Sequence, residues 1–434
     1  LFSSSSEINN DCDVMVTGVG MVTPLAIGRE ESWKRLIAGA RSGRRLTEND
    51  IDHFDQLVEL LQHVPGGATV DHQAVKEFVK NSQLFDGSDD LSAFTSTFGH
   101  DCLNNLVAAS LADAMADADL SPTELAGPRT GCVIGSSKAS LRSMEFEYLA
   151  TADRWRHEID RPANLWHNGF MPDAPLLAVQ QLIKASGPSS CPVAACATGL
   201  ISVIEAAQLI ATGACDICIA GSADASLRAS VLAAFHRLGV TSRHEQPASA
   251  CRPFDASRDG FIIGEGAAIV ILESRAHAEQ RQANCYAKLT SGLWLTDSTG
   301  MTQVQSDGSV VAELLKRMNV PSPDIVSVHG TATETNDQAE SQGLTSVYGN
   351  SPAAFAVKGA IGHLLGAAGS VELGLTLMSL RYGIVPGTAN FRTADLSCPI
   401  NLTTSARSQP NTKTAVKLSL GFGGHVVACA MKRC

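Results

Sequence analysis

Two kinds of apolar run alternate along the chain. Short β-branched stretches read as strands: Val14-Met-Val-Thr-Gly18, Gly131-Cys-Val-Ile-Gly135, and residues 216–220, 324–329 and 353–357. Longer Ala/Leu-rich stretches read as helices at 105–118, 200–212, 312–318, 337–344 and 369–380. Within 200–212, Ile201, Ile204, Ala207 and Leu209 follow the three-to-four spacing of one helix face. Residues 261–273 form a β-rich run holding Gly264 and Gly266, and 415–431 predict two strands joined through Gly421-Phe-Gly-Gly424. Repeated strand–helix–strand order predicts an α/β layered fold with a largely buried sheet. The order recurs in both halves, which suggests a duplication, although no sequence repeat establishes one.

Two segments break the pattern. Residues 45–100 are richer in Asp, Ser, His and Phe. Residues 141–172 gather Tyr148, Trp155, Trp166, His157 and His167 in a chain only 5% aromatic. Both read as insertions or caps, either decoration or pocket walls. The first ten residues hold four serines and no apolar core, so residues 1–13 read as a disordered tail rather than a signal peptide.

At 434 residues the chain has room for two or three domains or one large duplicated one, and 44% apolar content excludes a disordered chain. Charged residues sum to 33 − 44 = −11, which argues against nucleic-acid binding. No apolar run approaches the ~20 residues that span a bilayer, so no membrane partner is expected. Twelve cysteines are too few for a disulfide scaffold. Most lie in apolar stretches, such as Cys215, Cys218 and Cys429, and read as buried reduced thiols of a cytoplasmic protein. Cys215 and Cys218 have CxxC spacing but no second pair, so a metal or redox role lacks its usual context.

Several nucleotide and hydrolase motifs fail. Gly18-Val-Gly20 wants a third glycine at 23, where Thr23 stands, and Gly264-Glu-Gly266 meets Ile269 in that place. No GxxxxGK[ST], HExxH or GxSxG occurs. Three other places carry candidate chemistry. Cys196, in Ala195-Cys196-Ala-Thr-Gly199, precedes a helical run, where a helix N-terminus would lower its pKa; a small buried thiol is the alternative. His329 ends a strand before Gly330, Thr331 and Thr333, either facing a cleft or bonded within a loop. Lys358 and His363 lie in Lys358-Gly-Ala-Ile-Gly-His363-Leu-Leu-Gly-Ala-Ala-Gly369, at another strand end; a tight packing loop is the alternative. Asp337 and Glu340 have capping spacing and read as structural. One nucleophile and two histidines at strand-end loops fit covalent thioester chemistry better than a Cys–His protease.

In these motifs the chain resembles the β-ketoacyl synthases, condensing enzymes of the thiolase-like fold. The matches are Ala195 to Gly199, His329-Gly-Thr-Ala-Thr-Glu-Thr-Asn-Asp337, Lys358 with Gly362 to Gly369, and Gly421-Phe-Gly-Gly424. Val16 to Pro24, Arg252-Pro-Phe-Asp255 and Arg258 to Gly266 support them. The resemblance implies a duplicated α-β-α-β-α fold with two mixed sheets and cap insertions, divided as 14–273 and 274–434. It implies that Cys196 takes an acyl group as a thioester. It implies that His329 and His363 donate to the thioester oxygen of a malonyl-type extender as CO₂ leaves. Lys358 would orient the His363 loop. The N–H groups of Cys196 and Phe422 would form an oxyanion hole, with Phe422 also a gate. Thr331 and Thr333 would bind a pantetheine arm, Leu420 would also bind substrate, and Asp337 and Glu372 would support the site. No cofactor is implied beyond the phosphopantetheine that substrates carry. The implied partners are acyl carrier protein and a second subunit, in a homodimer or a heterodimer. A degradative thiolase would want a second cysteine near Gly421, and an initiating synthase would have Asn at 363.

The chain departs from the family around substrate. Leu418-Ser-Leu420 replaces the usual Asn-Ser-Phe. Residues 172–182 lack the usual Asn and small residues, and the 297–320 connection is short. Asp86 to Phe94 is acidic where many relatives present basic residues to the carrier protein, so either docking uses other basic residues such as Arg154, Arg156, Arg237 or Arg243, or the carrier is an unusual one. A non-catalytic chain-length partner or a pure acyltransferase on the same fold are the alternatives; the first would lack the nucleophile, and the second would not need both histidines.

Overall fold

The computed structural model describes residues 13–47, 50, 60–64, 66–85, 87–99, 101–141 and 171–434. The serine-rich start, the Tyr148–Trp166 aromatic group with its histidines, and Arg154 and Arg156 lie outside the described residues.

Ten strands build the main sheet. The first half contributes β1 (Val14–Val22), β2 (Thr130–Ser136), β3 (Ser189–Ser190), β4 (Ile217–Asp224) and β5 (Gly266–Ser274). The second contributes β6 (Ala287–Thr296), β7 (Ile325–Ser327), β8 (Ala353–Phe355), β9 (Thr414–Gly421) and β10 (His425–Arg433). The first five lie in the order β1-β5-β4-β2-β3 and the second five in the order β6-β10-β9-β7-β8. Strand sense matches as well. Two antiparallel pairings are followed by two parallel ones in each half. The duplication that the sequence pattern only suggested is therefore explicit in topology. The two mixed five-stranded sheets join where Val14–Val16 of β1 pair with Ala287–Leu289 of β6.

Helices complete five layers. α1 (Cys102–Ala118) and α2 (Ala174–Ile183) cover the outer face of the first half. α5 (Ser309–Met318) and α6 (Glu334–Tyr348) cover that of the second, with α4 (Ala229–Arg237) nearer the site. α3 (Thr198–Ala211) and α7 (Ala368–Tyr382) lie between the halves. Position follows composition. α5 buries only Val311, Ala312, Leu314, Leu315 and Met318, one amphipathic face. α7 is buried from Ala368 through Leu380, as a helix enclosed on all sides must be. α3 and α7 cross at glycines: a Cβ on Gly199 would sit 2.5 Å from the Ser370 nitrogen, and one on Gly369 2.5 Å from the Leu200 nitrogen. The two helices also begin alike. The 3₁₀ turn Ala195–Ala197 leads into α3 and Leu365–Ala367 into α7, with left-handed Ala195 (φ 47°) and Leu365 (φ 46°) at matching places.

The 45–100 segment supplies a small second sheet, in which Arg44–Arg45, Gly66–Ala68 and Ile263–Gly264 pair, and helices at His72–Lys80 and Ser88–Thr97. Glu265 ties this cap to the body, its Oε1 accepting from the Val70 nitrogen (3.0 Å) and bonding His72 Nε2 (2.9 Å). One cysteine expectation is corrected: Cys285 and Cys434 form a disulfide, because the end of β10 returns beside the start of β6. Cys215, Cys218 and Cys429 are buried free thiols. No helix among the described residues is long and apolar enough to cross a membrane.

Candidate active site

The Cys196 turn is held from below and behind. Thr198 Oγ1 accepts from the Ala194 nitrogen (2.9 Å) and donates to the Ala195 carbonyl (2.8 Å). Beneath it runs β2, where a Cβ on Gly135 would lie 2.4 Å from Thr198 Cγ2. Cys196 is buried, two residues before α3. Burial pushes its thiol up to about 12, with Lys358 and Lys138 pulling the other way. The expectation of a lowered pKa is thus corrected. The helix start is where the sequence placed it, but desolvation of a thiolate outweighs the favourable charges.

The two histidines follow neighbouring parallel strands, His329 directly and His363 after the short helix Lys358–Ile361 that succeeds β8. His329 lies two residues beyond β7, in a turn through Gly330 (φ 53°) and Ala332 (φ 60°). Glu340 on α6 accepts from the backbone nitrogens of His329 and Gly330 (2.8 Å for the latter), and burial raises its pKa to about 7. Asp337 accepts from the nitrogens of Phe254 (2.7 Å) and Ala332 (3.2 Å) and faces Arg258 at 3.7 Å; burial raises it to about 6. Both acids are structural, but not as a capping box. α6 already starts at Glu334, so these carboxylates secure the His329 loop instead. His363 is fixed by its own backbone, which donates to the Ile262 carbonyl (2.8 Å) and accepts from the Gly264 nitrogen (2.9 Å). The Arg258–Gly266 motif thereby seats the second histidine.

The rings stand 5.3 Å apart between centroids and at 83° to each other. Burial, then the charge of Lys358, holds both well below the usual histidine pKa, so both are neutral. His329 Nδ1 receives Lys358 Nζ at 3.2 Å, and His363 Nδ1 receives the Leu365 nitrogen at 3.2 Å. A neutral ring whose Nδ1 accepts carries its proton on Nε2. The site therefore holds two Nε2–H donors.

Lys358 serves a different histidine from the one expected. Its ammonium bonds Nδ1 and the carbonyl of His329 and Glu372 Oε1 (2.5 Å), because the chain after β8 passes beside the end of β7. Glu372 Oε2 meets Lys417 Nζ at 2.7 Å. Sequence reading missed Lys417; its signal was a lone cation inside the apolar strand β9, where it is fully buried. Thr331 and Thr333 bond each other through their hydroxyls at 2.8 Å.

The Gly421 loop rests on the nucleophile turn. A Cβ on Gly421 would lie 2.9 Å from the Ala194 carbonyl and 3.0 Å from the Ala197 nitrogen, so Phe422 follows directly beside Cys196. The Phe422 ring stacks on Phe235 at 6.0 Å, Phe235 meets Phe261 at 5.9 Å, and Phe261 meets His363 at 4.8 Å. Leu420 does not join this group. Side chains alternate along β9, so Lys417 faces Glu372 on α7, while Leu418 and Leu420 pack in the outer core with Val426. The substrate-binding expectation for Leu420 is corrected on that ground.

Comparison with known proteins agrees with this geometry. The family model described as beta-ketoacyl synthase, N-terminal domain, matches residues 11–278, and its C-terminal companion matches 295–392. A mitochondrial 3-oxoacyl-[acyl-carrier-protein] synthase of Arabidopsis thaliana is 33% identical, over 97% of this chain and 93% of its own. The oxytetracycline polyketide putative beta-ketoacyl synthase 1 of Streptomyces rimosus is 29% identical over 96% of each. A ketosynthase solved with its type II polyketide acyl-carrier protein superposes with a TM-score of 0.82 at 27% identity, covering 97% of this chain and 99% of that one. A beta-ketoacyl synthase from Burkholderia phymatum gives 0.82 at 26%, with the same coverage.

Proposed function

The chain belongs to the β-ketoacyl synthase family and is a β-ketoacyl-acyl-carrier-protein synthase, the condensing acyltransferase of fatty acid or polyketide elongation; from that premise we propose how its residues divide the reaction. Cys196 attacks the incoming acyl thioester, and the carrier leaves as its thiol, taking up the cysteine proton. A malonyl-type thioester then enters and loses CO₂. The Nε2–H groups of His329 and His363 hold the thioester oxygen as the C–C electron pair moves onto the enolate. Each such donor contributes roughly 10²–10³ in rate. The enolate carbon attacks the acyl carbonyl, and the backbone N–H groups of Cys196 and Phe422 receive the tetrahedral oxyanion. Collapse expels the Cys196 thiolate and leaves a 3-oxoacyl thioester. Lys358, anchored by Glu372, keeps the His329 proton on Nε2. The Thr331–Thr333 hydroxyl pair binds the pantetheine arm, and Phe422 gates it.

The observation that carries this reading is that both Nδ1 atoms are occupied as acceptors, which leaves two imidazole donors for one oxygen. Residues 14–273 then form the nucleophile half and 274–434 the histidine half. β3 is an edge strand, and exposed Val193 follows it, which supports extension of the sheet by a second subunit. Exposed Arg237 and Arg243 are the described candidates for carrier docking, while the helix Ser88–Thr97 opens with acidic Asp89 and Asp90. Unchanged carrier-dependent turnover and salt dependence after neutralising both arginines would remove that docking assignment.

The test separates the half-reactions. With an acyl thioester, mass is gained on Cys196 and lost in Cys196→Ala. With a malonyl thioester, CO₂ release stops in His363→Ala while loading persists. A His363→Ala variant releasing CO₂ at the parent rate contradicts the assignment. Loading without decarboxylation in the parent would indicate an acyltransferase, and no loading a chain-length partner.

A further inference from the structure

A second polar cluster adjoins the first and has no part in the steps above. β2 runs beneath the nucleophile turn and ends at Ser136; the next two residues are Ser137 and Lys138. Ser137 is wedged against the turn that follows His363, since a Cβ on Gly366 would lie 2.7 Å from both its Cβ and its nitrogen. Lys138 thus emerges between the turns that carry Cys196 and His363.

Asp224, at the end of β4, organises this place. Its Oδ2 accepts from the Gly366 nitrogen (3.0 Å), Ser137 Oγ (2.5 Å) and Lys138 Nζ (3.1 Å), and its Oδ1 from Ser226 Oγ. Four donors hold the carboxylate in place, so it needs nothing from a ligand. The ammonium differs. Among the described residues it bonds Ser137 Oγ (2.6 Å) and Asp224, which leaves its third N–H unspent. The Lys138 side chain is 29% exposed, against 1% for Asp224, so the cation is the open end of the pair. Through Asp224 the ammonium is tied to Gly366, in the turn that follows His363, and its charge acts on both the Cys196 thiol and the His363 ring.

We propose that Lys138 is a specificity-determining residue whose ammonium, braced by Asp224 and Ser137, takes the keto oxygen of the incoming acyl chain, so that Cys196 is loaded with 3-oxoacyl groups in preference to plain alkyl ones. An alkyl chain laid here displaces water from an N–H and returns no acceptor. A keto oxygen replaces that water. A carboxylate would bring a second negative charge against Asp224, and like charges repel. The difference between one satisfied and one orphaned donor amounts to roughly tenfold to a hundredfold in loading rate. A synthase with this preference accepts its own unreduced product class, so the step that supplies its substrate is another decarboxylative condensation rather than a ketone reduction.

The inference rests on Cys196 being the loaded residue, and the test keeps the two apart. The full chain is incubated with butyryl, 3-oxobutyryl and succinyl thioesters of pantetheine, and mass gain on Cys196 is followed with time. The expected order is 3-oxobutyryl at least about tenfold ahead of butyryl, with succinyl last. In K138M the 3-oxobutyryl to butyryl ratio collapses toward one, and in K138R the preference survives. Comparing ratios between variants removes the intrinsic reactivity of the donors. Equal loading by the parent, an unchanged ratio in K138M, or succinyl loading fastest overturns the inference. If no donor loads the parent, the Cys196 assignment itself falls.

Discussion

Replacing Glu372 by Gln tests the support of the site most directly. In the parent one carboxylate serves two ammonium groups, Lys358 at 2.5 Å and Lys417 at 2.7 Å, and all three side chains are buried. Gln keeps the shape but removes the charge, and its amide nitrogen would face one ammonium donor to donor. Removing one partner of a buried ion pair costs about 3–5 kcal/mol, because the remaining charges stay out of water. Without its anchor the Lys358 ammonium is no longer held against His329 Nδ1, 3.2 Å away in the parent, and the ring is free to move its proton to that nitrogen. One of the two Nε2–H donors is lost, which corresponds to roughly a 10²–10³-fold slower decarboxylation. Urea unfolding measures the first effect and CO₂ release from a malonyl thioester the second, with Cys196 loading as the internal reference. Glu372→Gln with the parental unfolding midpoint and CO₂ rate would refute the claim that this triad sets the His329 proton.

Three further outcomes follow from the same geometry. Gly199→Ala places a Cβ 2.4 Å from Ser222 Oγ and 2.5 Å from the Ser370 nitrogen; prying α3 from α7 costs about 1–3 kcal/mol, read as a lower melting temperature. Glu340 has its pKa raised from 4.5 to about 7, so the folded chain keeps a proton that the unfolded chain releases across that window, and this group's contribution falls as pH rises. Glu340→Gln removes that fall, and its urea midpoint should gain more, or lose less, than the parent's between pH 5 and 7; identical pH profiles would count against a protonated Glu340. Since burial pushes the Cys196 thiol up to about 12, alkylation of Cys196 by iodoacetamide should quicken steadily from pH 6 to 9, and a plateau near neutrality would show a thiolate already formed.

Much of the fold was legible because its central layers are extreme in composition. The all-buried run of β4 and the enclosed helices α3 and α7 stand out in any window. β6 was not recognised, since Ala-Lys-Leu-Thr-Ser-Gly-Leu-Trp-Leu-Thr mixes exposed and buried positions on a strand bent between two partners. Nor was α2, which opens at Ala174 with Pro172 just before it and Pro175 in its first turn. Cys196, His329, His363 and Lys358 were legible as residue types at strand ends. Their partners were not. The link from Lys358 to His329 rather than His363, and the roles of Lys417, Asp224 and Lys138, depend on which strand lies beside which. The acidity of Cys196 was misjudged because local sequence displays a helix start but not the depth at which it is buried.

The matched turns before α3 and α7 carry one more consequence. Cys196 and Gly366 stand at corresponding places, one residue after Ala195 and Leu365. A side chain at 366 would run into the backbone of Ser137, so a mirror-image sulfur has nowhere to go. Two copies of one architecture thus end in unlike tips: one elbow bears a sulfur, and the other, stripped to hydrogen at its tip, brings a ring to meet it.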